Sequence, residues 1–131
     1  MLEISKDLLE QIIAHGIEAY PNECCGLMIG LVVEDKKIVQ EIFKAKNLNK
    51  ERSQDRYELA PQDFLFADKK AQEQGLEIVG IYHTHPDHPS KASETDREKA
   101  YQEYSYLIVA IHKGTFFSKN SWVLNDLEQF Q

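Results

Sequence analysis

Cysteine is almost missing from this chain. Two occur in 131 residues, and they are neighbours, Cys24 and Cys25. Adjacent cysteines bridge poorly, because a disulfide usually needs its Cα atoms further apart than one peptide unit allows. Nor do they have the Cys-x-x-Cys spacing of a metal or redox pair, so they read as reduced packing residues near a strand start. No apolar run is long enough to cross a bilayer as a helix. The opening stretch MLEISKDLLEQ mixes charged and apolar residues, unlike the continuous apolar core of a signal peptide, and a cytoplasmic protein is expected. A Lys/Arg cluster is also lacking. With 15 basic against 22 acidic residues and a net charge of −7, the chain suits a phosphate backbone poorly, which argues against nucleic acid as a partner. Repeats, low-complexity tracts and linker-like stretches are absent as well. What remains is 42% hydrophobic and 28% charged, the balance of a globular protein. Residues 1–131 are enough for one core and too few for two ordinary domains.

Hydrophobic spacing then outlines the elements. Ser5 reads as an N-cap, followed by Leu8, Leu9, Ile12, Ile13 and Ile17 at helical intervals, with an end expected near Tyr20, ahead of Pro21. GLMIGLVV (26–33) is an apolar run of strand length, EDKK a polar turn, and IVQEIFKAKN (38–47) its hairpin partner. NKERSQDR (49–56) reads as a loop and RYELA as a short strand. Pro61 opens a helix in PQDFLFADKKAQEQ, with Phe64, Leu65, Ala67 and Ala71 on one side and Gly75 beyond its end. EIVGIYHTH (77–85) and YSYLIVAIH (104–112) are apolar enough for buried strands, with a helix expected from about Glu94 to Glu103 between them, and SWVLN as a last edge strand. Interleaved helices and strands predict a single α/β domain.

The stretch HTHPDHPSKASETD (83–96) holds three of the five histidines. His83 and His85 stand one residue apart at a strand end, so the period-two alternation points both imidazoles to one face. Pro86 and Pro89 stop the strand and shape a loop. Asp96 follows at the start of the next helix, where it can turn back towards the strand end. Two imidazoles and a carboxylate suit zinc, and three protein ligands leave a fourth tetrahedral position for water. A plainer reading competes for part of this stretch, since Ser93-Glu94-Thr95-Asp96 also resembles a capping box. His88 reads as a solvated loop residue, and His15 and His112 as structural or surface groups. Water on a metal needs a base. Glu23, in PNECCG between the first helix and the first strand, is the candidate, although taken alone it reads as an exposed loop residue.

These residues together resemble the JAMM signature of the JAB/MPN metallopeptidases. Glu23 comes first and His83-Thr84-His85-Pro86 later; Ser93 lies eight positions after His85, and Asp96 three after Ser93. PNECCGLMIG is similar to the entry of the family's glutamate strand, and the likeness extends in outline from the first helix to SWVLN. The resemblance implies an α/β fold, a single MPN/JAB-like domain with a mixed, curved β-sheet flanked by helices in a cytidine-deaminase-like layering. Carried over residue by residue, it implies that His83, His85 and Asp96 hold Zn2+ and that Glu23 binds and deprotonates the water. Ser93 would hydrogen-bond the oxyanion formed as a carbonyl is attacked. Thr84 stands where the family has serine or threonine and is expected to face away from the metal.

The chain leaves no room for the insertions with which eukaryotic relatives grip two ubiquitins, and it is similar to the small prokaryotic branch. That likeness implies a zinc metallopeptidase cutting a peptide or isopeptide bond after the C-terminal Gly-Gly of a ubiquitin-like sulfur-carrier protein. Neither nucleic acid nor membrane is expected, and a homodimer is compatible. The substrate's tail could add a strand to a sheet edge that the sequence does not identify. Two rival readings remain beside this one. The first is a non-catalytic MPN scaffold, although inactive relatives usually lack one or more of the five motif residues present here. The second is a small zinc amidohydrolase or peptidase acting on free peptides.

Overall fold

In a computed structural model, which describes residues 2–49, 57–91, 96 and 104–123, the elements run in the order β1 (Leu2–Glu3), α1 (Lys6–Ala19), β2 (Cys25–Val33), β3 (Lys36–Ala45), α2 (Pro61–Glu73), β4 (Glu77–Pro86), β5 (Ser105–His112) and β6 (Thr115–Val123). Ser5 caps α1 as expected, its hydroxyl accepting the Leu8 amide at 3.2 Å. Pro61 opens α2, where its missing N–H costs nothing. All the described strands join one sheet, in the order β1-β3-β2-β4-β5-β6. β2 lies antiparallel to β3 and β4, and β6 antiparallel to β5. β4 and β5 are parallel, as are β1 and β3, so the sheet is mixed, as the resemblance implied. A parallel neighbour obliges the chain to leave the sheet at the end of β4 and cross back. The histidines sit at that exit.

α1 and α2 cover opposite faces. Ile12 of α1 packs with Met28, Val79, Tyr82, Leu107 and Val109. Ala67 and Ala71 of α2 pack with Cys25, Leu27, Ile29, Ile81 and Tyr106 on the other side. β4 and β5 are buried from both faces, which is why they read as continuous apolar runs.

One irregularity in β4 decides which face carries the histidines. Met28 pairs with Gly80 and Ile29 with Ile78, leaving Val79 as an extra residue on β4. Such a bulge shifts the alternation by one position. Ile78 and Ile81 therefore share the α2 face, while Val79 and Tyr82 share the α1 face. His83 and His85 follow Ile81. Without the extra residue, the Ile78 face would continue through Tyr82 and Thr84 instead.

Several expectations need correction. Leu65 and Ile17, placed on the packed sides of their helices, are 67% and 43% exposed. They stand at the margins of stripes that the alanines of α2 and Ile12 of α1 already seal. EDKK contributes only Glu34 and Asp35 to its turn, because Lys36 and Lys37 already pair with β2. Of RYELA, the described residues 57–60 make a lone bridge, Asn47 to Leu59, in place of a strand. The last strand begins at Thr115, well before SWVLN, because β6 pairs with β5 along its length after a turn at Lys113 and Gly114, both at positive φ. The expected helix from Glu94 to Glu103 lies outside the described residues except for Asp96, which is helical.

Tyr82 crosses to its partner strand at Gly26, where a Cβ would come within 2.3 Å of its ring. Its hydroxyl meets His15 Nδ1 at 2.7 Å, which gives that histidine the structural role expected of it. Gly26→Ala is expected to displace this ring and lower stability by about 1–3 kcal/mol. The effect should appear as a lower urea midpoint at unchanged slope.

Candidate metal centre

His83 and His85 leave β4 on one face, both buried. Their Nε2 atoms lie 3.2 Å apart. Asp96 closes the group, with Oδ1 3.1 Å from His83 Nε2 and Oδ2 3.1 Å from His85 Nε2. A tetrahedral ion bound at about 2.0–2.1 Å holds its ligands about 3.3–3.4 Å from one another. The two imidazole nitrogens are therefore spaced like neighbouring ligands of such an ion, and the carboxylate faces both, one oxygen to each ring. Two neutral imidazoles and a carboxylate are also the donor chemistry that a zinc ion takes, so residues and geometry fit a metal.

The rings are held from behind. His85 Nδ1 lies 2.7 Å from the Pro89 carbonyl. A carbonyl can only accept, so Nδ1 carries the proton and the Nε2 lone pair points into the cluster. Burial alone lowers the His85 pKa, but the Asp96 carboxylate and the Pro89 carbonyl outweigh it and leave it raised. His83 stacks on Tyr57 with centroids 4.5 Å apart. His88, expected to be solvated, instead lies half-buried against the His85 ring at 4.3 Å.

Thr84 faces the opposite side of β4, where its methyl would meet a Cβ placed at Gly16 of α1. Its hydroxyl accepts the Cys24 amide at 2.9 Å, and its own amide donates to the Cys24 carbonyl at 3.1 Å. This clamp fixes the chain one residue after Glu23. Because Cys25 pairs with His83, the register carries Glu23 abreast of His85 and onto the same face. Glu23 is 4% exposed, not the solvated loop residue its sequence context suggests. Its carboxylate is close enough for its charge to raise the His85 pKa. Asn47 donates to the Glu23 carbonyl at 3.1 Å, a contact that no local pattern announces. Ser93 lies outside the described residues. Thus Glu23, His83, His85 and Asp96 come together at one end of β4, and Thr84 stands behind them.

A family profile for prokaryotic homologs of the JAB domain matches residues 5–125. The chain is 31% identical over 112 residues to the desampylase of Haloferax volcanii, covering 82% of this chain and 78% of that protein. It is 29% identical over 108 residues to the "Probable TtuB-protein conjugate cleaving protease" of Thermus thermophilus, covering 82% and 69%. It is 35% identical over 89 residues to tail tip assembly protein K of Escherichia phage N15, covering 68% of this chain but spanning only 32% of that protein. Among solved structures, a Desulfitobacterium hafniense protein superposes with a TM-score of 0.87 at 27% identity, covering 100% of this chain and 90% of the other. A Salinibacter ruber protein gives 0.77 at 40% identity, with 98% and 86% covered. A JAB1/MPN domain protein from Archaeoglobus fulgidus gives 0.59 at 20% identity, with 92% and 88% covered, a likeness of fold alone.

The thiols beside the cluster are not part of it. Cys25 directs its sulfur at the Lys46 carbonyl, 3.7 Å away, and Cys24 meets Thr84 Oγ1 at 3.7 Å. Both are free and buried, and desolvation pushes each pKa up to about 12. At pH 8 a thiol of that pKa is about 10⁻⁴ ionised, and the thiolate is the reactive form. Iodoacetamide at pH 8 should therefore leave the folded protein unlabelled for hours and label both cysteines within minutes in denaturant, as read by intact mass.

Proposed function

We propose that this chain, which belongs to the prokaryotic homologs of the JAB domain, is a zinc-dependent metallopeptidase. Its substrate in this reading is a ubiquitin-like sulfur-carrier protein, hydrolysed at the peptide or isopeptide bond after a C-terminal Gly-Gly. The observation that carries the reading is the cluster of His83 Nε2, His85 Nε2 and the two Asp96 carboxylate oxygens at 3.1–3.2 Å, with buried Glu23 just ahead of the neighbouring strand. The relatives named desampylase and TtuB-protein conjugate cleaving protease support the choice of a carrier-protein conjugate as substrate. The phage relative bears on the domain only, since the match spans a third of that protein. A cytoplasmic location is part of the same proposal.

Zinc, when bound by His83, His85 and Asp96, supplies Lewis acidity that lowers the pKa of water from about 15.7 to about 7. The chain's own residues manage the proton. Glu23 takes it from the water that adds to the scissile carbonyl carbon and delivers it to the amine nitrogen as the C–N bond breaks. Glu23 is buried, and the Thr84–Cys24 clamp keeps it opposite His85. Ser93, carried over from the JAMM signature, donates a hydrogen bond to the carbonyl oxygen as charge develops there.

Intact-mass analysis of a Gly-Gly-terminated carrier extended by one cysteine tests this reading. Zinc-loaded wild type should release the cysteine, and Glu23→Gln should be slower by about 10²–10⁴-fold while binding zinc equally. Stripping the metal with a chelator should abolish cleavage, and zinc should restore it. Silence of the zinc-loaded wild type on several carriers would overturn the proposal in favour of a scaffold or another substrate.

A further inference from the structure

A loop carbonyl can hold an imidazole in one orientation only if the carbonyl is itself immobile. Pro89, whose carbonyl meets His85, has no amide of its own to anchor it. The residues around it do the anchoring. Upstream, Asp87 adopts a φ of 60° and donates its amide to the Ile111 carbonyl at 2.7 Å. Its carboxylate accepts the Tyr20 hydroxyl at 2.6 Å and the Lys113 amide at 2.7 Å.

The downstream anchor is more unusual. Ser90 is 2% exposed although its neighbours Pro89 and Lys91 are exposed. Its carbonyl accepts from Asn120 Nδ2 at 3.3 Å and from Trp122 Nε1 at 3.2 Å. Its hydroxyl accepts from Asn120 Nδ2 at 2.8 Å and shares a hydrogen bond with Ser118 at 2.9 Å. Three side chains at alternate positions of β6 therefore converge on one serine.

Sheet register explains why they can. His85, Ala110 and Ser118 form one cross-strand row, and His83, Ile108 and Asn120 the next. Rows share a face, so β6 presents these groups on the metal side of the sheet, two strands from the histidines. The loop leaves β4 and reaches past β5 to β6, where Ser90 meets these side chains. Sequence patterning offers no reason for an edge strand to aim Ser118, Asn120 and Trp122 together at this loop; holding the carbonyl behind His85 does.

We infer that Ser90, clamped by Asn120 and Trp122 of β6, is a positioning residue of the metal centre, holding the Pro89 carbonyl that fixes the His85 tautomer and ring angle. This rests on the reading of His85 as a zinc ligand. Outer partners of ligating histidines commonly govern metal affinity by about 10–100-fold.

Zinc affinity by competition with a chelating dye, together with the His85 Nδ1–H proton resonance of the zinc-loaded protein, tests the inference without recourse to activity. Ser90→Ala and the double variant Asn120→Ala/Trp122→Phe should weaken zinc binding about tenfold. Both should turn the slowly exchanging Nδ1–H signal into one lost to water. Lys119→Ala, on the same strand but outside the clamp, should change neither. If Ser90→Ala does not fold, Trp122→Phe alone decides, since it removes one donor and keeps an aromatic ring. Folded variants that bind zinc within twofold of wild type, with His85 Nδ1–H still protected, would overturn the positioning role and leave the metallopeptidase reading intact. A wild type that binds no zinc would overturn both.

Discussion

Three polar side chains with donor atoms 3.1–3.2 Å apart are costly to bury, and the surrounding structure is arranged around that cost. His83, His85 and Asp96 occupy the exit of β4, where the chain must leave the sheet because its next neighbour is parallel. The Pro89 carbonyl accepts from His85 Nδ1, Tyr57 stacks on His83, and His88 stacks on His85. The cluster is thus packed from its outer side and convergent on its inner side, the arrangement a metal ion requires.

The opposite face of β4 does complementary work. Thr84 alternates away from the cluster and grips Cys24 by two hydrogen bonds, so one strand presents the two imidazoles on one face and positions the neighbouring glutamate from the other. Small residues permit this closeness. Gly16 lets α1 approach Thr84, and Gly26 admits the Tyr82 ring. Cys24 and Cys25 extend the same economy as small apolar residues on opposite faces, one packed towards each helix.

Much of this was legible beforehand. β2, β4 and β5 read as apolar runs because they are buried from both sides, and α1 and α2 announced themselves by Ser5 and Pro61. Period-two spacing paired His83 with His85, and the interval to Asp96 carried the resemblance that named the site. β6 was mostly missed because an edge strand has one exposed face, and TFFSKNS therefore shows no continuous apolar signal. β1 is too short to leave a pattern. Leu65 and Ile17 were misplaced because a helical stripe does not reveal how wide a contact its sheet offers.

Side-chain chemistry and periods of a few residues outlined α1, α2 and the strands β2 to β5 and grouped His83, His85 and Asp96, while the reading of Glu23 as a base came with the resemblance. Which face of the sheet receives the histidines depended on the extra residue Val79, visible only once β2 and β4 pair. The setting of Glu23 beside His85 needed a register spanning some sixty residues, as the Cys24–Thr84 bonds show. Ser90 was silent in the sequence because its partners stand 28 to 32 positions away, on a strand brought near only by the closing of the sheet.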